Sequence, residues 1–552
     1  MPIIEKNIFN IASLISEAAR KNPSGIATLS RVGADCLSRT TLSFKELDDD
    51  SSQLASGLIN MDLKAGSKVA LLVPYGPDFH IIVFAVFKAG LIPVMVDPGM
   101  GAKRFLECLG TAGPKALIGS PKAQFLSLIF KGHFKELTLR VTLGRRWGWG
   151  GETVKNLLEG KGPTHHMVET PEDSTAAILF TSGATGPAKG VIYTHAMFRA
   201  QVELIRENFA LQEGDRDLVT FPLFGLFTPA LGVTAVMPSM NPTLPALADP
   251  KKLVTAILED KASSLFASPV LLSNLANYLK ENKVKLKGLK TVICAGAPVQ
   301  PQLALRVKES LEPEALVFTP YGATEAMPLT RIEVHEIQET RGMSEQGFGM
   351  CLGRPVTGHD ILILPISEKK IESFKETDLL PQGEVGELIA TGPVVALSYY
   401  ELPQADALSI VKGPEGKLWR RMGDLGWKDA LGRVWFCGRK NQRVTTPKGV
   451  LFTISCESVF NNHPLVRRSA LVGVGDPGSQ IPVIVLETSK KLDNSRWESL
   501  TKELSTLAKA NPRTRDIKDF LSHNDFPVDI RHNAKIAREK LALWAKSKLA
   551  KK

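Results

Sequence analysis

Several features that would place a chain quickly are missing from this one. Its 552 residues hold six cysteines, at Cys36, Cys108, Cys294, Cys351, Cys437 and Cys456. They are dispersed and lack C-x-x-C spacing, so they offer neither a zinc site nor a disulfide framework, and they fit free thiols in a reducing compartment. No apolar run is long enough to span a bilayer. The most apolar region, residues 80–96, is broken by Lys88, Gly90 and Pro93. The N-terminus carries Glu5 and Lys6 ahead of a helix-like stretch at 11–19, without the apolar core of a signal peptide. A cytoplasmic location with no transmembrane segment is therefore expected. No basic stripe with interleaved aromatics occurs, and the net charge of +11 is spread over scattered lysines and the Lys551-Lys552 tail. That pattern argues against nucleic acid as a partner and reads as solubility. Internal repeats and low-complexity tracts are also lacking.

What is present is ordinary in bulk and ordered in detail. A hydrophobic content of 43% and a charged content of 23% are those of a soluble globular protein, and the length suggests three or four subdomains of ~150 residues. Residues 68–73 read as a strand, 78–88 as a helix and 91–96 as a strand ending in Asp97-Pro98-Gly99. This is a βαβ unit whose near-continuous apolar strands imply a parallel sheet covered on both faces. Further strands are expected at 116–118 and 137–143. The alternation resumes with strands at 264–267 and 291–295, each followed by a helix (270–279 and 302–311). A strand at 315–318 runs into Pro320-Tyr321-Gly322-Ala323-Thr324-Glu325. Ligands gather at the carboxyl ends of strands in open α/β sheets, so the loops 295–298 and 321–325 are expected to meet around one ligand. From about Gly347 short, turn-punctuated strands (360–364, 385–390, 418–421 and 433–436) suggest a small β-barrel or meander. After Gly438-Arg439 a last module has its own strands and helices. The expected class is α/β, with a large N-terminal domain over 1–440 and a small α+β C-terminal domain over 441–552. The large domain divides into α/β subdomains at 1–175 and 176–346 and a β-rich subdomain at 347–440.

The most informative stretch is Phe180-Thr181-Ser182-Gly183-Ala184-Thr185-Gly186-Pro187-Ala188-Lys189-Gly190. Glycines let backbone N–H groups turn toward one point, hydroxyls add donors, and Lys189 adds positive charge. The natural guest is a polyphosphate. A Walker loop is excluded, because Ala188 and Gly190 stand where Gly and Ser or Thr are required. The flanks differ too: a buried strand at 176–180, a second short strand at 191–193, and then a helix with Thr194 as N-cap and Phe198, Val202, Ile205 and Phe209 on one face.

Taken singly, other stretches are bland. Tyr321-Gly322 could be a turn, Asp424 in Arg421-Met422-Gly423-Asp424-Leu425-Gly426 a turn cap, and Lys535 a surface lysine. In their joint order they resemble the adenylate-forming superfamily of acyl-CoA synthetases, peptide-synthetase adenylation domains and luciferases, over nearly the whole chain. The resemblance rests on the loop at 181–190, Gly296-Ala297-Pro298, Tyr321-Gly322-x-Thr324-Glu325, the Gly-Glu-x-Gly-Glu-Leu stretch at 383–388, and Gly423-Asp424-Leu425 with Gly438-Arg439. It implies two βα sheets and a small β-barrel in the large domain, a mobile C-terminal lid, and ATP with Mg²⁺ as cofactors. It places Thr181, Ser182, Gly183, Ala184, Thr185, Gly186 and Lys189 around the phosphates and Gly296, Ala297 and Pro298 along the adenine. Tyr321 with Gly322 would stack on the base and Thr324 would touch the α-phosphate. Glu325 would ligate the metal, and Asp424 and Arg439 would hold the ribose. Lys535, Thr185 and Glu325 are the implied catalytic groups, and Asn441 falls at the family's hinge. His195 lies near the loop and reads as a structural histidine at a helix start.

Phe221-Pro222-Leu223-Phe224-Gly225-Leu226-Phe227, the order Pro187-Ala188, the Arg467-Arg468 stretch and the segment 526–535 resemble one branch in particular, the β-lactone synthetases of bacterial long-chain olefin biosynthesis. That branch activates a 2-alkyl-3-hydroxy acid and closes it to a lactone. The implied partners are a carboxylic acid with long alkyl chains and, in an assembly, other enzymes of that pathway. Gly225 stands where many relatives carry His or an aromatic and reads equally as room for a second alkyl arm or as a packing change. Phe221, Leu223, Phe224, Leu226, Phe227 and Val299 are candidates for the acyl pocket, with core packing as the plainer reading of most of them. Pro447-Lys448-Gly449-Val450 stands where coenzyme-A ligases have a glycine turn, so a pantetheine channel is not evident. A long-chain fatty-acyl-CoA ligase remains the alternative, and a nucleotide-binding regulator with a ligase-like fold is a third reading. No base for a lactonising hydroxyl is identified.

Overall fold

A computed structural model describes residues 7–32, 38–160, 167–181, 188–528 and 536–550. Two seven-stranded sheets form the bulk of the chain. In the first, the order is Glu152–Thr153, Leu139–Thr142, Ala116–Gly119, Lys68–Leu72, Ile92–Val96, Thr175–Thr181 and Lys189–Thr194. Every neighbouring pair is parallel except the last. Ala116–Gly119 is buried at all four positions, as expected for a parallel strand with helices on both faces. The helix Pro77–Lys88 is buried on every side from Phe79 onward. Its terminal Lys88 is neutralised by Asp48 at 2.5 Å, so the helix belongs to a protein core. Among the described residues no helix is long and apolar enough to cross a membrane.

The second sheet runs Leu316–Phe318, Thr291–Cys294, Ser264–Ala267, Arg216–Val219, Thr234–Met237, Ile26–Val32 and Ser38–Ser43. Sheet membership therefore does not follow the division at 175/176. The N-terminal hairpin pairs in parallel with Thr234–Met237 in the second sheet, while Thr175–Thr181 and Lys189–Thr194 complete the first. Local periodicity shows that a segment is a strand, but not which distant strand it will join.

The β-rich part is an antiparallel sheet with the pairing order Met350–Cys351, Val434–Arg439, Leu418–Lys428, Gly386–Thr391 and Asp360–Leu364, with Ile410–Lys412 added beside Leu418–Lys428. Beyond it lie the hairpin Val444–Thr446/Gly449–Leu451 and a three-stranded sheet, Val466–Val474, Ile481–Thr488 and Asp519–Ser522, with helices Thr453–Asn461, Asn494–Ala510 and Arg538–Leu549. This last part buries apolar clusters of its own, around Phe460 and Phe520 on one side and Phe526 and Leu541 on the other. Contacts join it to the rest, among them Asn511 Nδ2 donating to Gln346 O at 2.8 Å and Arg513 over the Phe348 ring at 3.8 Å.

Candidate active site

The strands on either side of the loop after Thr181 are in register, Thr181 opposite Lys189, so the chain leaves and re-enters the sheet at one point. Thr194 caps the following helix by accepting from Met197 N, and Phe198, Val202, Ile205 and Phe209 of that helix are buried. Ser182, Gly183, Ala184, Thr185, Gly186 and Lys535, with the side chain of Thr181, lie outside the described residues. Lys189 is described, and its ammonium sits over the ring of Tyr399 at 4.7 Å.

Tyr399 organises this wall. Tyr400 N donates to Gly190 O at 2.7 Å and Ile192 N to Ser398 O at 3.3 Å, which fastens residues 398–400 along the strand Lys189–Thr194. The Tyr399 hydroxyl donates to Glu325 Oε1 at 2.7 Å, and Ala396 N donates to the Glu325 carbonyl at 2.8 Å. The ring also carries the Arg420 guanidinium at 4.6 Å. Tyr399 is thus flanked by two cations and hydrogen-bonded to a carboxylate. Burial and the Glu325 charge push its phenol above the ordinary range, so it stays protonated and donates. Arg420 is 1% exposed. Its Nε is bonded to Ala396 O, while Nη1 and Nη2 have no hydrogen-bond partner among the described residues. A buried guanidinium with two unbonded donors is costly to keep.

A second cluster faces the first. Asp424 on Leu418–Lys428 is opposite Arg439 on Val434–Arg439, and the Tyr321 hydroxyl donates to Asp424 Oδ2 at 2.6 Å. Arg439 Nη1 stands 3.1 Å from Oδ1 without hydrogen-bond alignment, so Oδ1 keeps free acceptor capacity. Burial raises the Asp424 carboxyl above its usual range, opposed by Arg439 and the Tyr321 hydrogen bond. Gly296 (φ 98°), Ala297 and Pro298 follow the end of Thr291–Cys294 and line the same cavity as Tyr321, Gly322, Thr324 and Glu325. A Cβ on Gly322 would lie 2.6 Å from Ala326 O, so the turn between Tyr321–Ala323 and Ala326–Arg331 requires glycine there. Asn441 lies in the short turn Lys440–Gln442, beside Lys440, whose ammonium is held 3.1 Å from Glu387 Oε1. Arg421 also holds Glu387, at 2.6 Å.

The cavity measures about 1990 Å³ and continues into an aromatic compartment. Phe224 stacks on Phe266 at 4.2 Å, with Phe221 at 5.9 Å from the same ring, and Phe227 packs on Phe198. Leu223, Leu226 and Val299 also line it, and Leu226 and Val299 are buried in the core as well. Gly225 does not leave space for an alkyl arm. A Cβ there would fall 2.1 Å from Val219 Cγ1 and 2.4 Å from the Tyr75 hydroxyl. His195 is buried and accepts from Ile11 N at 3.2 Å through Nδ1. Burial lowers its pKa to about 4, so it is a neutral structural group. Sequence reasoning missed Tyr399, Arg420 and Tyr75. The doublet Arg420-Arg421 ahead of Asp424 was the one local signal, and nothing local distinguishes Tyr75.

These features define a class, and the comparisons agree. Residues 15–400 match the AMP-binding enzyme family, and the chain belongs to that family. It is 41% identical to the olefin beta-lactone synthetase of Xanthomonas campestris pv. campestris, over 97% of both chains, and 40% identical to that of Stenotrophomonas maltophilia, over 98% of this chain and 99% of the relative. Identity to a long-chain-fatty-acid–CoA ligase of Escherichia coli is 24%, over 93% and 91% of the two chains. Among solved structures, an amide bond synthetase from Marinactinospora thermotolerans superimposes with a TM-score of 0.79 at 20% identity, covering 97% and 99% of the two chains. The o-succinylbenzoate coenzyme A synthetase of Bacillus subtilis, in complex with ATP and magnesium ion, gives 0.74 at 21%, covering 96% and 98%. The protein is an adenylate-forming ligase or synthetase of this family.

Proposed function

We propose that the protein activates a long-chain 2-alkyl-3-hydroxy acid with ATP and closes it to a β-lactone. In the first step a carboxylate oxygen attacks the α-phosphorus and pyrophosphate leaves, giving the acyl-adenylate. In the second the 3-oxygen attacks the acyl carbon and the bond from that carbon to the phosphate oxygen breaks. AMP departs with the electron pair and the hydroxyl proton is released. An internal nucleophile needs no second binding site, because its effective concentration is high. The observation that carries this reading is the meeting of Tyr399 and Arg420 with the Tyr321–Asp424–Arg439 clamp on a cavity that continues into an aromatic compartment. The lactone product is favoured by the relatives at 40–41% identity over nearly the full length.

In this reading the loop from Thr181 to Lys189, helped by Arg420, grips the β- and γ-phosphates. Gly296, Ala297 and Pro298 border the adenine, Tyr321 stacks on it, and Asp424 Oδ1 accepts from a ribose hydroxyl. Thr324 and Thr185 border the α-phosphate, Lys535 neutralises charge there, and Asn441 is the hinge of residues 441–552. Glu325 fits a magnesium site. The described residues offer no cluster of three or more His, Cys, Asp or Glu side chains, and Mg²⁺ is usually held by one or two carboxylates plus substrate phosphates. When bound, the ion would neutralise charge developing on the phosphoryl oxygens. Tyr399 positions the Glu325 carboxylate for it.

The fatty-acyl-CoA ligase reading shares the first step and draws on the more distant relatives. The deciding experiment supplies a 3-hydroxy acid and ATP without coenzyme A. Pyrophosphate release and a product lighter than the acid by one water are expected. Strict dependence on coenzyme A, with a thioester as product, would sink the lactone reading.

A further inference from the structure

Among the described residues three aromatic rings are exposed, Phe125, Phe130 and Trp147, and all belong to one short stretch of chain. Phe125 (59% exposed) and Ile129 (57%) are four residues apart on the helix Pro121–Ile129, so they share its outward face. Gln124 fixes this helix over the sheet, its Nε2 donating to Val141 O at 2.9 Å on the strand Leu139–Thr142. Trp147 (63% exposed) stands in the loop after that strand, with its ring 5.8 Å from Trp149. Trp149 Nε1 in turn donates to Thr142 Oγ1 at 3.0 Å. Ala116–Gly119 and Leu139–Thr142 are parallel neighbours, so the start of the helix and the Trp147 loop lie at the same end of the sheet. Exposed apolar groups gathered in this way mark an interaction surface.

The charge around them has one sign. Residues 97–151 carry nine Lys and Arg against three Asp and Glu, a surplus of six within the chain's net +11, so the net charge is concentrated here rather than evenly spread. Lys122, Lys131, Arg145 and Arg146 are exposed, and the two arginines directly precede Trp147. The inner side of the same helix belongs to the cavity. Ala123 and Leu126 line it together with Phe105, and so do the exposed Arg104 and Lys122. The cavity therefore extends to within one helix of the apolar patch.

We infer that this face docks the protein on an anionic lipid surface. Phe125, Ile129, Phe130 and Trp147 enter the interface, and Lys122, Lys131, Arg145 and Arg146 meet acidic headgroups. Partial burial of apolar side chains at headgroup depth, joined to attraction between cations and anionic lipid, is how a peripheral protein holds a bilayer. Two observations select a lipid surface over a protein. A surplus of positive charge around apolar rings complements an anionic bilayer, and the cavity beside the patch is the one proposed for an acid with long alkyl chains, which partitions into membranes. The second of these rests on the function proposed above.

The test sediments the full chain with vesicles of phosphatidylcholine alone and of phosphatidylcholine mixed with phosphatidylglycerol, without ATP or acid. Binding to the mixed vesicles is expected, about 10-fold or more tighter than to the neutral ones, and weaker when salt is raised from about 0.1 to about 0.5 M. Phe125→Ser combined with Ile129→Ser is expected to lose about 10-fold or more of that binding and to keep its Tm, because both side chains are exposed. The double variant retains every charge, so it separates docking at this face from general attraction of a basic protein. Wild type left in the supernatant with both kinds of vesicle, or a double variant that binds as wild type does, would overturn the inference. A wild-type dimer that the double variant converts to monomer would overturn it as well, by making the face an interface between copies. No turnover is measured, so a thioester product would sink the lactone reading and leave the vesicle result standing.

Discussion

The two ends of the cavity are built on opposite principles. At the end proposed for the nucleotide, each carboxylate is met by polar or charged partners: Tyr399 on Glu325, Arg439 and Tyr321 on Asp424, Arg421 and Lys440 on Glu387. At the end proposed for the acyl chains, aromatic rings pack on one another, and polarity is reduced to a few isolated atoms such as the Tyr75 hydroxyl. The first end tolerates few residue types, because each charge must meet a partner or a phosphate. The second can be filled by many apolar side chains of suitable volume. Arg420 crosses the division, a charge at the nucleotide end whose donor tips are left idle.

Substitutions at each end should break this contrast in different ways. The largest effect is expected from Asp424→Ala, which strands the Arg439 charge and the Tyr321 hydroxyl. ATP affinity by calorimetry should fall about 100-fold or more, roughly 3 kcal/mol, together with pyrophosphate release. Arg420→Leu should weaken ATP and free pyrophosphate about 10- to 100-fold and leave AMP nearly unchanged. Equal weakening of AMP would place Arg420 away from the β- and γ-phosphates.

The acyl end should respond in stability. Gly225→Ala forces a methyl against Val219 and the Tyr75 hydroxyl, and overpacking of this kind costs about 1–3 kcal/mol, read as a lower Tm. A smaller, pH-dependent effect is expected below the compartment. Asp217 is fully buried, accepts from Ser264 at 2.7 Å, and is raised by burial to about 6. Between the unfolded value near 4 and that value the native state holds the proton more tightly, so wild-type stability should fall as pH rises from 4 to 6 and then level off. Asp217→Asn lacks this term. Its Tm advantage should be greatest above pH 6 and shrink toward pH 4. A pH-independent difference would show that the carboxylate is not strained by burial.

The same contrast explains what could be read from the chain alone. The strand at 264–267, the helix after Thr194 and the phosphate-loop strands follow from local apolar runs and an N-cap. Tyr321, Glu325, Asp424 and Arg439 stand in short motifs whose spacing the chemistry constrains. The placement of Ile26–Val32 beside Thr234–Met237 depends on a long-range pairing with no local mark. Tyr399 and Arg420 act through stacking between separate stretches. Gly225 read equally as open space or as packing, because a glycine in a sequence does not show what fills the gap beside it. Here Val219 and Tyr75 do.

The central claim is that the acid passes through an acyl-adenylate. It is tested most directly by an acid carrying ¹⁸O in both carboxylate positions, with ATP and Mg²⁺. The account predicts one labelled oxygen in the AMP phosphate, none in pyrophosphate, and one retained in the lactone carbonyl. Unlabelled AMP, or ADP in place of AMP, would contradict it.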